Sequence, residues 1–250
     1  MGARGDAGSG VAAVTVRGPD RDGRNLDPYA VIDVSEDPGR PDFTIEGAPG
    51  AILAVISGPS GVGKDTIIDA LRRREREAGR DGDRHYVVTC TTRLPRNGEV
   101  DGVDYHFLSR GEFLRMRAAR GFLEANEVHG NWYGSPRDQV RAALATGKDV
   151  ILKIDVQGAQ VVKEQVSQAL LIFVIPPSLE TLFARLRTRA TETADQLELR
   201  QANAAIELAR QEDYDHVVVN ETGEVEETAA RIEEIIADEH RRHPGRRVRI

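Results

Sequence analysis

The sequence predicts an α/β fold, a parallel sheet covered by helices on both faces. Two observations carry this. From residue 51 onward, short β-branched apolar runs alternate with helical stretches, the rhythm of right-handed strand–helix–strand units. The runs are apolar throughout rather than alternating with polar residues, as strands buried on both faces are. At 250 residues the chain is long enough for one domain with inserts, and a chain of this size buries roughly 70–75% of its unfolded surface.

Ile52–Ser57 reads as the first strand because a β-branched run ends there in glycines. Asp65–Ala78 reads as a helix, with Ile67, Ile68 and Leu71 on one side and arginines on the other. Tyr86–Thr89, Val150–Ile154, Leu170–Ile175 and Val217–Val219 read as further strands. Gln157–Gln165, Ser178–Arg187, Asp195–Asp213 and Val225–Arg241 read as helices. Pro176-Pro177 stops a strand and opens a helix, since proline suits a first helical turn. The stretch from Thr91 to Gly147 breaks the rhythm and reads as an insert. Residues 1–50, rich in Gly, Pro, Asp and Arg, read as a flexible N-terminal extension. Val11–Val16 and Tyr29–Val34 are short strands if that extension docks.

Hydrophobic residues are 40% and charged residues 30%, the balance of a soluble globular protein. The longest apolar runs, Ala51–Ile56 and Ala169–Ile175, fall far short of the ~18 residues a membrane span needs. Cys90 stands alone, so no internal disulfide forms, and no secretory signal opens the chain. The expectation is a cytoplasmic protein with no membrane contact. A net charge of −7 argues against a non-specific nucleic-acid binder. The six histidines show no metal-ligand spacing.

Gly58-Pro59-Ser60-Gly61-Val62-Gly63-Lys64 lies between the first strand and the first helix, the setting of a phosphate-binding loop. Glycines let the backbone curl so that N–H groups face phosphate oxygens, and the helix N-terminus adds about half a positive charge. Lys64 is the mobile ammonium for the β- and γ-phosphates of ATP. The loop and the two residues after it, Asp65 and Thr66, form the expected ATP site. The position after the lysine usually holds a hydroxyl that ligates Mg²⁺. Here it is Asp65, still a hard oxygen ligand, and Asp65 is the expected metal residue.

The insert carries Thr89-Cys90-Thr91-Thr92-Arg93-Leu94-Pro95-Arg96-Asn97-Gly98-Glu99, then Asp104-Tyr105-His106-Phe107, Phe122-Leu123-Glu124 and Gly130-Asn131-Trp132-Tyr133-Gly134-Ser135. Arg93 and Arg96 are two guanidinium forks bracketing a proline, suited to a bidentate grip on a phosphate monoester. Tyr105 and Tyr133 add hydroxyl donors. Glu124 lies among apolar residues and needs a partner; its two oxygens match the adjacent N1–H and N2 amino donors of guanine, an edge adenine lacks.

This ordered set, with Ile154-Asp155-Val156-Gln157-Gly158 and the arginine-rich stretch Arg185–Arg200, resembles guanylate kinase over about Ala51 to Glu239. The resemblance implies a P-loop parallel sheet covered by helices on both faces, with a GMP-binding insert at 89–148 and a mobile lid at 186–202. It implies phosphoryl transfer from ATP to GMP with Mg²⁺. It assigns Arg93, Arg96, Tyr105 and Tyr133 to the GMP phosphate, and Thr89, Glu124, Ser135 and Asp155 to guanine. Arg189 and Arg200 become the lid arginines that join Lys64 and Arg93 in catalysis, and Asn220 falls near the adenine. Two other readings share parts of this pattern. Phosphonate-pathway kinases acting on ribose bisphosphate can carry Lys-Asp in the loop but do not need the guanine set. Binding domains of guanylate-kinase type that have lost catalysis usually lack an intact loop.

One pair of departures stands out. The family usually has an acidic residue two positions before the Asp of the I-D-V-Q-G segment; here it is Lys153. A carboxylate has gained a place in the loop where a lysine has replaced one on the neighbouring strand. Asp65 and Lys153 are therefore expected to face each other as an ion pair.

Overall fold

The computed structural model describes residues 13–15, 31–33, 45–128, 130–188 and 194–250. In chain order the elements are β1 (Ala13–Thr15), β2 (Val31–Asp33), β3 (Leu53–Ser57), α1 (Lys64–Glu77), β4 (Arg84–Tyr86), β5 (Cys90–Thr91), β6 (His106–Phe107), α2 (Arg110–Ala118), β7 (Phe122–Val128), β8 (Asn131–Pro136), α3 (Arg137–Ala145), β9 (Asp149–Lys153), α4 (Val156–Gln165), β10 (Leu170–Ile175), α5 (Leu179–Thr188), α6 (Ala194–Leu208), β11 (His216–Val219) and α7 (Val225–Arg242). β1 and β2 pair antiparallel, Ala13 opposite Asp33.

The larger of two compact units runs up to Val87 and resumes from Val140 to Ile250. Its five strands lie in the order β11-β10-β3-β9-β4, all parallel, as the alternating pattern predicts. β3 is central and buried along its whole length. The chain builds β4 and β9 on one side of it and β10 and β11 on the other. The loop after β3 therefore lies where the strand order reverses, the place where such sheets bind ligands. Ile67 and Leu71 of α1 share a core with Ile232 and Ile236 of α7 and with Ile172 and Val174 of β10. Arg74 and Arg84 both reach Glu233 of α7, at 2.9 and 3.1 Å.

Several boundaries differ from the sequence reading. The strand expected at Tyr86–Thr89 lies at Arg84–Tyr86, because the buried Glu75 of α1 fixes Arg84 N–H and the Tyr86 hydroxyl, each at 2.9 Å. The helix expected to reach Asp213 ends at Leu208 and tightens into a 3-10 turn over Ala209–Asp213. Residues 45–50, grouped with the extension by composition, pair with the C-terminus: Ile45 N–H donates to Ile250 O at 2.8 Å and Gly47 N–H to Val248 O at 2.8 Å.

The smaller unit includes Val88–Gln139. Its sheet has the order β6-β5-β8-β7, with β8 antiparallel to both neighbours. Phe113 of α2 stacks on Phe122 with ring centroids 4.5 Å apart, and Cys90 and Met116 complete this core. Gly134 is required here: a Cβ at that position would come within 2.9 Å of the Phe122 ring. An insert over 89–148 was expected, but the compact unit ends at Gln139. From Val140 onward α3 packs with the larger unit, where Ala48 N–H donates to Leu144 O at 2.9 Å.

Candidate active site

The phosphate loop leaves β3 through Gly58, whose φ is +144° and whose added Cβ would lie 2.2 Å from Val174 O. It enters α1 through Gly63, at φ +95°, where a Cβ would meet the Asn220 amide at 2.6 Å. Only glycine suits either place. Lys64 Nζ donates to Gly58 O at 2.5 Å and Pro59 O at 3.1 Å, so the ammonium lies across the loop. Burial pushes its pKa down, against the nearby carboxylates of Asp65, Glu207 and Asp155. The Thr66 hydroxyl donates back to Gly63 O at 2.7 Å.

Two residues brace the loop from outside the motif. Asn220 Nδ2 donates to Val62 O at 2.7 Å, and its Oδ1 accepts from the Thr228 hydroxyl at 3.1 Å. Arg185 reaches Val62 O, Asn220 O and the Thr222 hydroxyl. Asn220, which the resemblance puts near the adenine, has a buried amide that bonds the loop backbone.

Lys153 ends β9 in register with Ile56 of β3, which brings it beside the loop. Its Nζ lies 2.5 Å from Asp65 Oδ1, so the expected ion pair is present. Among the described residues, no group of three or more His, Cys, Asp or Glu side chains is arranged to hold a metal ion. Mg²⁺ bound with a nucleotide commonly needs only one or two carboxylates plus phosphate oxygens. The largely exposed Asp65 carboxylate in the first turn of α1 suits that pattern.

In the smaller unit the predicted phosphate residues cluster. The Arg93 guanidinium carbon lies 5.3 Å from the Tyr105 ring centroid, and the Tyr105 and Tyr133 rings are 6.1 Å apart. Glu99, to which the sequence reading gave no role, holds the cluster. Its oxygens accept from Arg93 Nη1 and Nη2 at 2.9 and 2.8 Å and from Arg96 N–H at 2.6 Å. Partial burial pushes the Glu99 carboxyl up, but the Arg93 fork and the Arg96 amide outweigh it and hold the pKa below the ordinary value. Arg96 itself is exposed. The signal for Glu99 was local, an acid three residues after Arg96 and six after Arg93.

Of the four residues expected to read the base, Glu124 and Ser135 also meet. A bulge between Phe122 and Glu124 shifts the β7 register and sets Glu124 opposite Ser135. Glu124 is 4% exposed; its Oε1 accepts from the Ser135 hydroxyl at 2.7 Å and its Oε2 from Asn126 Nδ2 at 3.1 Å. Asn126 was not foreseen. Thr89 is buried in the same unit, just ahead of β5. Asp155 belongs to the larger unit, where it caps α4 by accepting from Gly158 N–H at 2.8 Å. Trp132 is a packing residue, 5.8 Å from the Phe113 ring with Arg117 over its face at 4.4 Å. Cys90 is buried, and that burial pushes its thiol pKa up, as suits a packing residue.

In the expected lid, α5 ends at Thr188 and α6 begins at Ala194. Arg189 lies outside the described residues, and Arg200 sits in α6.

The guanylate kinase family model matches residues 51–239. The chain belongs to the guanylate kinase family. Among relatives, the Clostridium perfringens (strain SM101 / Type A) guanylate kinase is 45% identical over 188 residues, covering 75% of this chain and 83% of its own length. The chloroplastic/mitochondrial guanylate kinase 2 of Oryza sativa subsp. japonica is 42% identical over 203 residues, covering 81% of this chain and 69% of its own. The crystal structure of guanylate kinase from Anaplasma phagocytophilum superposes with a TM-score of 0.62 at 34% identity, over 77% of this chain and 88% of that one. As a guanylate kinase by family, the chain is an ATP-dependent nucleoside monophosphate kinase.

Proposed function

We infer that the chain transfers the γ-phosphoryl group of ATP to GMP, giving ADP and GDP. One observation supports this most. Tyr133 and Ser135 are two residues apart on β8, hence on one face and about 7 Å apart. The first belongs to the arginine–tyrosine cluster and the second to the buried Glu124 carboxylate. β8 thus sets the arginine–tyrosine cluster beside the Glu124 carboxylate of the neighbouring strand β7, the arrangement a phosphate clamp and an acceptor for guanine's donor edge would need. A ribose bisphosphate has no base to donate to Glu124.

Phosphoryl transfer needs positioning and charge stabilisation more than covalent help. The loop N–H groups and Lys64 hold the ATP phosphates. Arg93, Arg96, Tyr105 and Tyr133 hold the GMP phosphate, with Glu99 keeping the Arg93 fork in place, and Thr89, Glu124, Ser135 and Asp155 serve the guanine. The GMP phosphate is largely dianionic near neutrality, since phosphomonoesters have a second pKa of about 6. One of its oxygens attacks the γ-phosphorus in line, the bond to the β-phosphate oxygen breaks, and ADP leaves. Arg189 and Arg200 are assigned to charge neutralisation from the lid. Asp65 is the residue that would hold Mg²⁺ or its waters, and the ion would supply charge neutralisation to the transferring phosphoryl group. A single buried cysteine suits a reducing compartment such as the cytoplasm.

Calorimetric titration with acceptors tests the reading. GMP should bind at least about tenfold more tightly than AMP, because adenine brings the buried carboxylate neither of guanine's two adjacent donors. Ribose bisphosphate binding as tightly as GMP would favour the phosphonate-pathway reading instead.

A further inference from the structure

We propose that Lys153 is a positioning residue of the nucleotide site that acts through Asp65. Its ammonium neutralises that carboxylate, so the loop can hold a nucleoside diphosphate or triphosphate before any divalent cation is in place. The proposal rests on the phosphate loop being the ATP site.

Asp65 creates an electrostatic problem. It puts a carboxylate in the first turn of α1, directly after the loop lysine, where a polyphosphate is to bind. Like charges at such distances repel, and the half charge of the helix N-terminus does not cancel a full one. Lys153 answers this from another element. Its register opposite Ile56 sets its Cα at the carboxyl end of the sheet, and its Nζ meets Asp65 Oδ1 at 2.5 Å. The lysine side chain is 19% exposed against 57% for Asp65, so the cation lies on the sheltered side of the pair and is less screened.

The surroundings make that cation matter more. Among the described residues, the carboxylates of Asp65, Glu207 and Asp155 act on Lys64, and Lys153 is a cation that acts against them. Without Lys153, the Asp65 carboxylate would face the bound phosphates with its charge less compensated. A divalent cation arriving with the nucleotide would neutralise Asp65 in the same way. Lys153 and the metal are then alternative partners of one carboxylate.

The test is the dissociation constant of ADP, measured by calorimetry in EDTA and in excess Mg²⁺. In EDTA, Lys153→Met should weaken ADP binding about fivefold or more, the scale of a partly exposed charge pair, while Lys153→Arg retains most of it. Asp65→Asn should abolish the effect, so that Asp65→Asn/Lys153→Met binds within about twofold of Asp65→Asn alone. Mg²⁺ should narrow the gap between Lys153→Met and the unaltered protein. The thermal midpoint of each variant separates charge effects from unfolding. Unchanged metal-free binding in folded Lys153→Met would overturn the proposal. So would an equal loss in the Asp65→Asn background, which would put Lys153 on the nucleotide itself. If Lys64→Ala also leaves ADP binding unchanged, the assignment of the ATP site has failed instead.

Discussion

Glu124→Gln is the substitution that isolates base recognition. The carboxylate is buried and accepts from Ser135 at 2.7 Å and Asn126 at 3.1 Å. An amide keeps the volume but turns one acceptor into a donor. It would then face Asn126 Nδ2, or guanine's N1–H and N2 amino group, donor to donor. Losing one charge-assisted hydrogen bond costs about 1.5–3 kcal/mol, a factor of roughly ten to a hundred in affinity. The fold should survive, since a buried neutral amide is cheaper to desolvate than a carboxylate. Steady-state kinetics should therefore show a GMP KM raised at least about tenfold and an ATP KM changed less than about twofold. Calorimetry with GMP should give the same ratio. An unchanged GMP KM, or equal losses for both substrates, would refute the assignment of Glu124 to the base.

Glu99→Gln should raise the GMP KM about fivefold, because the Arg93 fork loses its bidentate partner. The same carboxylate predicts an acid dependence. Its folded pKa lies below the ordinary 4.5, so its contribution to stability is present above that value and is lost as pH falls through the folded pKa. The stability gap between the unaltered protein and Glu99→Gln, read from urea melts, should shrink below about pH 4.5. Lys64→Ala should cut turnover about a hundredfold or more with little change in the GMP KM; a matching loss of GMP binding would contradict its place on the transferring phosphoryl group. Gly63→Ala should raise the ATP KM and lower the thermal midpoint, since its Cβ would strike the Asn220 amide at a backbone angle only glycine adopts freely. A Gly63→Ala protein with normal ATP kinetics would show that the Asn220 brace is dispensable.

What the sequence made legible was local. The strand–loop–helix at 53–77 announces itself in adjacent residues, and the arginines and tyrosines of the insert are spaced so that each type suggests its chemistry. Asp65 and Lys153, 88 positions apart, were paired because both stood out of pattern at sites that neighbouring strands bring together. Contacts between ordinary residues far apart were silent. Asn220 braces Val62 from 158 residues away, and Ile45 pairs with Ile250. Glu75 shifted β4 through hydrogen bonds that no periodicity encodes. Gly130–Ser135 stood in the sequence as a motif and not as a strand; Gly134 and Pro136 disfavour strands, yet residues 131–136 pair with β5 and β7 on both sides. Packing against Phe113 and Phe122 overrides that preference at Gly134.

The central claim is that ATP and GMP are the two substrates, and a coupled assay of ADP release with the full chain in Mg²⁺ tests it most directly. The account predicts ADP formation that depends on GMP, yields GDP in equal amount, falls to a small fraction with AMP or ribose bisphosphate, and is lost in Lys64→Ala. No GMP-dependent ADP release from folded protein that binds both nucleotides, or faster release with ribose bisphosphate, would contradict it.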